Sequence, residues 1–121
     1  MKLTKKIVGI LLALLLILSG VGHFMNPEIY LALTPDFLPK SIVNILVGGV
    51  EILLGVGVFI PSFRRLALLG IFLLMIVFLP VHVFDALKDT PVVGSKTFAF
   101  VRIGIQFILI YLPWFARKTQ H

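Results

Sequence analysis

No cysteine occurs in the 121 residues. That excludes a disulfide framework, thiolate metal sites and dithiol redox chemistry by this chain. Charge is scarce as well. Only 13% of residues are charged, and just five are acidic, where a soluble domain carries about a quarter charged residues. With 60% hydrophobic residues and a mean hydropathy of +1.13, a soluble fold this small could not hide its apolar surface, most of which must face lipid. A free cytosolic enzyme, a disordered chain and a stable secreted domain are excluded, and the length predicts a single domain over 1–121. Catalytic signatures are missing too. There is no nucleophile elbow, phosphate loop or HExxH, and no metal-ligand spacing or Asp-rich site for magnesium, so no metal is expected.

What the chain has is four apolar runs of nineteen residues each: Ile7–Met25, Ile42–Ile60, Leu66–Phe84 and Phe98–Ala116. As a helix each spans about 28 Å, close to the hydrocarbon thickness of a bilayer. None shows the polar face of a soluble amphipathic helix. The first run, preceded by Lys2, Lys5 and Lys6, shares features with a secretory signal. Its length, the lack of an A-x-A-like site and the three further spans favour a retained helix.

The connections differ in kind. Residues 26–41 contain Pro27, Pro35 and Pro39. Asn26, Pro27 and Glu28 supply a cap, a proline at N1 and an acid at the positive end of the dipole, with Ile29, Tyr30 and Leu33 on an apolar side. This predicts a short interfacial helix lying on the bilayer. Residues 61–65 form a tight turn, and residues 85–97 a moderate loop with Pro91 and Gly94. The excess of eleven basic over five acidic residues would suggest nucleic acid in a soluble protein. Here it sits at the run edges and reads as topology, with no nucleic acid partner expected. Lys2, Lys5, Lys6, Arg64, Arg65, Arg117 and Lys118 fall on one side, and Lys40, Lys88 and Lys96 on the other. The positive-inside rule then places both termini in the cytoplasm, with Tyr111 and Trp114 as interface anchors. The fold class expected is an all-α, four-helix transmembrane bundle in a bacterial-type inner membrane.

An ionisable group inside a span needs a reason, because it costs several kcal/mol unless paired or hydrated. The inventory is His23, Glu51, His82, Arg102 and Gln106, with Asp85 just past the third run. Counting at ~1.5 Å per residue places His23, His82 and Arg102 at similar depth in the outer half, with Gln106 ~6 Å deeper and Glu51 near the midplane. If these groups converge, they form one polar pocket open to the outside. Glu51 could pair with Arg102 as a clamp between the second and fourth spans, bond Gln106, or serve as a functional carboxylate. His23 and His82 could ligate haem, bind a quinone carbonyl or relay protons, or simply bond locally. Of the two cofactors quinone fits better than haem, which wants a roomy bundle and opposed rings. Glycines on the first two runs predict close helix approach. Gly20 and Gly22 are expected to loosen the end of the first helix. Pro80 is expected to kink the third and free a carbonyl near the pocket.

Ordered motifs along residues 18–115 resemble one family. They are His23-Phe24 with Pro27; Pro35-Asp36-Phe37-Leu38-Pro39; Gly49-Val50-Glu51-Ile52 with Gly55 and Gly57; Pro61 with Arg64-Arg65; and Arg102 and Gln106 followed by Leu109-Ile110 and Trp114. Together they resemble DoxX-like membrane proteins. Two positions depart from that pattern. Gly104 stands where the family often has a proline, and Leu79 separates Phe78 from Pro80. The resemblance implies a four-helix membrane bundle. Some relatives are associated with quinone-linked sulfur oxidation or membrane oxidoreductase complexes, and many have no known role. The expected function is therefore an accessory subunit of a membrane redox system with a redox partner protein, binding a quinone-like or small apolar ligand near His23, Glu51, His82, Arg102 and Gln106. The competing expectations are a small homo-oligomeric proton-coupled transporter and a structural membrane partner without a ligand.

Overall fold

The structure, a computed structural model, describes residues 2–118. Five helices follow in order: α1 Lys2–Met25, α2 Pro27–Leu33, α3 Lys40–Phe59, α4 Arg64–Ala86 and α5 Lys96–Arg117. All but α2 are long and apolar enough to cross a membrane. At 24, 20, 23 and 22 residues they exceed the apolar runs, because polar flanks such as Lys2–Lys6 continue the helix.

The helix ends have identifiable causes. Pro27 stands at the first position of α2, where its missing N–H costs nothing. Asn26 precedes it, but its side chain makes no capping bond. Thr34 closes the helix, with its backbone N–H and its hydroxyl both donating to the Tyr30 carbonyl at 3.1 and 2.8 Å. Arg64 Nε donates to the Val58 carbonyl at 2.7 Å, satisfying the end of α3 across the tight turn. Ser95 Oγ accepts from the Phe98 N–H at 3.1 Å and so caps α5.

The uniformly apolar runs hide a narrow stripe. On α1 the stripe is Gly9, Ala13, Leu16, Gly20 and His23, with Leu12 also buried beside it, and on α3 it is Asn44, Gly48, Glu51, Gly55 and Val58. Both sets step by four, three, four and three residues, the 3.5-residue repeat that keeps one seam turned to a neighbouring helix. Half of the seam residues are Gly or Ala, which lets the backbones approach. A Cβ on Gly20 would stand 2.7 Å from the Gly48 carbonyl oxygen, and one on Gly55 would stand 2.8 Å from that of Ala13. Gly20 therefore does not loosen α1, contrary to expectation. It is a point of contact, and α1 runs on through Met25. Gly22 faces the Tyr30 hydroxyl, 3.0 Å from where its Cβ would be.

Helices α4 and α5 form a second close pair, and the two pairs meet along α3–α4 and α1–α5. Near the Arg64 turn the centre is filled by an apolar cluster including Leu16, Val58, Leu68, Ile71 and Ala116. Toward the other end a cavity lies between the pairs, lined there by Tyr30 and Leu33 of α2 and by Val93 of the 87–95 loop. Asp85 pins that loop: its buried carboxylate accepts from the Val92 and Val93 N–H groups at 2.7 and 3.3 Å. Gly94, at φ +125°, makes the turn that only glycine takes without strain. The overall distribution of polarity is inverted relative to a soluble protein. Leu18, Leu53 and Val77 point outward, while His23, Asn44, Glu51, His82, Asp85 and Gln106 are buried. Of the described residues, only these six polar or charged side chains are buried.

Candidate functional site

The cavity between the helix pairs has a volume of about 580 Å³, within the range of small-molecule sites. Its lower part is apolar, with Leu12, Leu16, Phe78 and Leu109 among the lining residues, and its polar groups gather toward the α2 end. One wall, from α1 and α3, presents Ser19, His23, Asn44 and Glu51. The other, from α4 and α5, presents His82 and Arg102.

The α1–α3 wall follows from the seam. Gly20 and Gly48 bring the helices together, and the seam positions one turn on carry His23 and Glu51. His23 Nε2 lies 3.0 Å from Glu51 Oε1. The Ser19 hydroxyl donates to both Glu51 oxygens at 3.1 Å. His23 Nδ1 lies 2.7 Å from Asn44 Oδ1, and Asn44 Nδ2 donates to the His23 carbonyl at 2.8 Å. That carbonyl belongs to the last turn of α1, where no intrahelical donor remains. Tyr30 of α2 stacks on the imidazole, with ring centroids 3.7 Å apart.

The facing wall uses a second network. Gln106 is wholly buried and donates to the Met75 carbonyl at 2.6 Å, fixing which end of its amide faces α4. Its oxygen accepts from Arg102 Nη1 at 2.9 Å. The residue whose carbonyl Pro80 deprives of an N–H donor is Ile76, four before it. The Gln106 amide goes to the neighbouring Met75 carbonyl, and α4 continues through Pro80 to Ala86. Among the described residues Arg102 has no carboxylate within ion-pair distance, and His82 makes no hydrogen bond. Both face the cavity. A guanidinium so placed is a ready donor to a carbonyl or oxyanion.

Of the five residues expected to converge, His23, Glu51, His82 and Arg102 line this one cavity, and Gln106 stands directly behind Arg102. The expected Glu51–Arg102 clamp is absent among the described residues. Glu51 is held by its neighbour helix α1, and Arg102 by its own helix through Gln106. Glu51 also makes no bond to Gln106, whose amide is used by Met75 and Arg102. Sequence reasoning missed Ser19, Tyr30 and Asn44. Two of these carried a spacing that could have revealed them: Ser19 is four residues before His23, and Asn44 seven before Glu51, so each pair shares a helix face. Among the described residues no cluster of three potential metal ligands occurs.

The fold and site define a class: four membrane-length helices enclosing a cavity that is apolar below and polar at one end. The family is defined as well. A family model described as a domain of unknown function (DUF8561) matches residues 12–117, and the chain belongs to that family. No curated protein and no solved structure matches the chain.

Proposed function

We propose that the protein is a multi-pass membrane protein that binds a small, flat, quinone-like ligand in this cavity, as an accessory subunit of a membrane redox system. The observation that carries the binding is the pairing of an apolar cavity with two polar walls that do not bond each other. A ligand with oxygen atoms at opposite ends would join them. Arg102, with His82 beside it, would donate to one oxygen, and the His23–Glu51 wall would meet the other. The apolar remainder, near Leu12 and Leu109, would take a hydrocarbon tail. The redox association rests on the resemblance to DoxX-like proteins.

The basic residues support an orientation in an inner membrane with both termini cytoplasmic and the cavity facing outward. In that setting α2 is an interfacial helix: Ile29 on it and Phe37 past its end are 60% and 77% exposed, as suits the headgroup boundary. Equilibrium titration of the purified protein with a short-chain quinone tests the proposal. Saturable binding should weaken at least tenfold in Glu51→Gln with the helical content unchanged. Wild-type affinity in that folded variant would refute the assigned role of Glu51.

A further inference from the structure

The hydrogen bonds around His23 fix how many protons its pair with Glu51 holds. The His23 carbonyl can only accept, so the Asn44 atom facing it at 2.8 Å is the amide nitrogen. The Asn44 oxygen is then the atom 2.7 Å from His23 Nδ1. An amide oxygen cannot donate, so Nδ1 carries a hydrogen. Neutral imidazole has a hydrogen on one nitrogen alone, which leaves Nε2 as an acceptor toward Glu51 Oε1 at 3.0 Å. Two acceptors do not bond, so the 3.0 Å contact seen here holds a further proton, on the carboxyl or on the imidazole. Ser19 donates one hydroxyl shared over both Glu51 oxygens. The remaining ionisable groups on the cavity wall are Tyr30 from α2, His82 from α4 and Arg102 from α5.

We propose that His23 and Glu51 form a single-proton dyad, oriented by Asn44, that hands its proton to a ligand oxygen bound in the cavity opposite Arg102. This rests on the ligand-binding reading above and names the chemistry of the ligand: a ring oxygen that passes between oxyanion and hydroxyl, as in a quinol or phenol. In the transfer the bond from hydrogen to Glu51 Oε1 or His23 Nε2 breaks and an O–H bond forms on the ligand. The bonding pair stays on the dyad, left as neutral imidazole beside a carboxylate. One negative charge moves from ligand to dyad, and nothing is oxidised or reduced. Asn44 is a positioning residue. It touches no ligand and acts by holding the hydrogen on Nδ1.

Two measurements test this. The first needs no ligand. In bilayers, ¹⁵N NMR of histidine-labelled protein, with His23 identified by loss of its resonances in His23→Gln, should show a protonated Nδ1. Asn44→Asp retains the acceptor and should keep that state. Asn44→Leu should release it to the Nε2–H form. An unprotonated Nδ1 in the wild type overturns the dyad, whatever binds in the cavity. The second measurement uses 4-nitrophenolate, a flat ring with oxygens at both ends that is yellow only as the anion. Binding to the wild type under weakly alkaline conditions should bleach one probe per chain, and Glu51→Gln should not bleach. A wild-type protein that leaves the yellow absorbance unchanged at every probe concentration overturns the transfer. An Nδ1–H state without any quinone binding would instead sink the proposed function and leave the dyad standing.

Discussion

Replacing Gly20 by alanine tests the α1–α3 seam that brings His23 to Glu51. The added Cβ would lie 2.7 Å from the Gly48 carbonyl oxygen and 2.6 Å from Ile52 Cγ1, where ordinary carbon contacts lie at about 3.5–4.0 Å. Ile52 can turn aside, but the Gly48 oxygen is backbone, so α1 and α3 must separate by a substantial fraction of an ångström. Overpacking of this kind costs about 1–3 kcal/mol. Alanine returns up to about 1 kcal/mol through helix propensity, leaving a net loss of about 0–2 kcal/mol. Gly104→Ala is the internal control. No heavy atom lies within 4 Å of its added Cβ, so the propensity gain should stand alone. The two variants should then differ by the overpacking cost itself, about 1–3 kcal/mol, roughly 5- to 150-fold in the unfolding equilibrium. Reversible unfolding in mixed micelles, followed by circular dichroism, measures this difference. A Gly20→Ala protein as stable as Gly104→Ala would refute the close-packed seam.

Two other outcomes follow from the loop side. Asp85→Asn keeps the shape but replaces one of two oxygens that accept from Val92 and Val93 N–H. It should cost about 1–3 kcal/mol and raise amide hydrogen exchange in the 87–95 loop, and unchanged exchange there would count against the pinning. At the start of α3, Lys40 donates to the Asp36 carboxylate at 2.7 Å and holds its pKa below the ordinary 3.8. A lowered folded-state value means that the pair's contribution is complete above that ordinary value and fades as pH falls through the lowered one. Because Asp36 is fully exposed, screening leaves the contribution small. Melting curves of Asp36→Asn and wild type should coincide at about pH 7, and a clear shift there would contradict this.

The four long helices were legible because a run of nineteen apolar residues has few other uses, and Pro27 marked the start of α2 to the residue. The seam was harder to see. Its members mix Gly and Ala with Leu16, Val58, His23, Asn44 and Glu51, set among residues that are apolar on every side, so a search for hydrophobic periodicity finds no contrast. Counting along helices gave the heights of His23, Glu51, His82 and Arg102, which is why they reach one cavity. Height says nothing about which way a residue points around its helix. Height alone therefore leaves Arg102 and Gln106 as candidate partners of Glu51, although His23 occupies the facing seam position on α1. Asn44 was overlooked because it lies near a helix start, where a polar residue attracts no notice. Its role depends on the unpaired carbonyl at the end of α1, a feature of two helices together. The Gln106 bond to Met75 is of the same kind, since it requires the register between α4 and α5.

The most direct test of the central claim, that the two walls share one ligand, is a quinone titration of wild type, Glu51→Gln and Arg102→Gln in nanodiscs. One saturable site per chain in the wild type, weakened at least tenfold by either substitution from its own wall, is the predicted result. Non-saturating partition that is identical in all three proteins would contradict it.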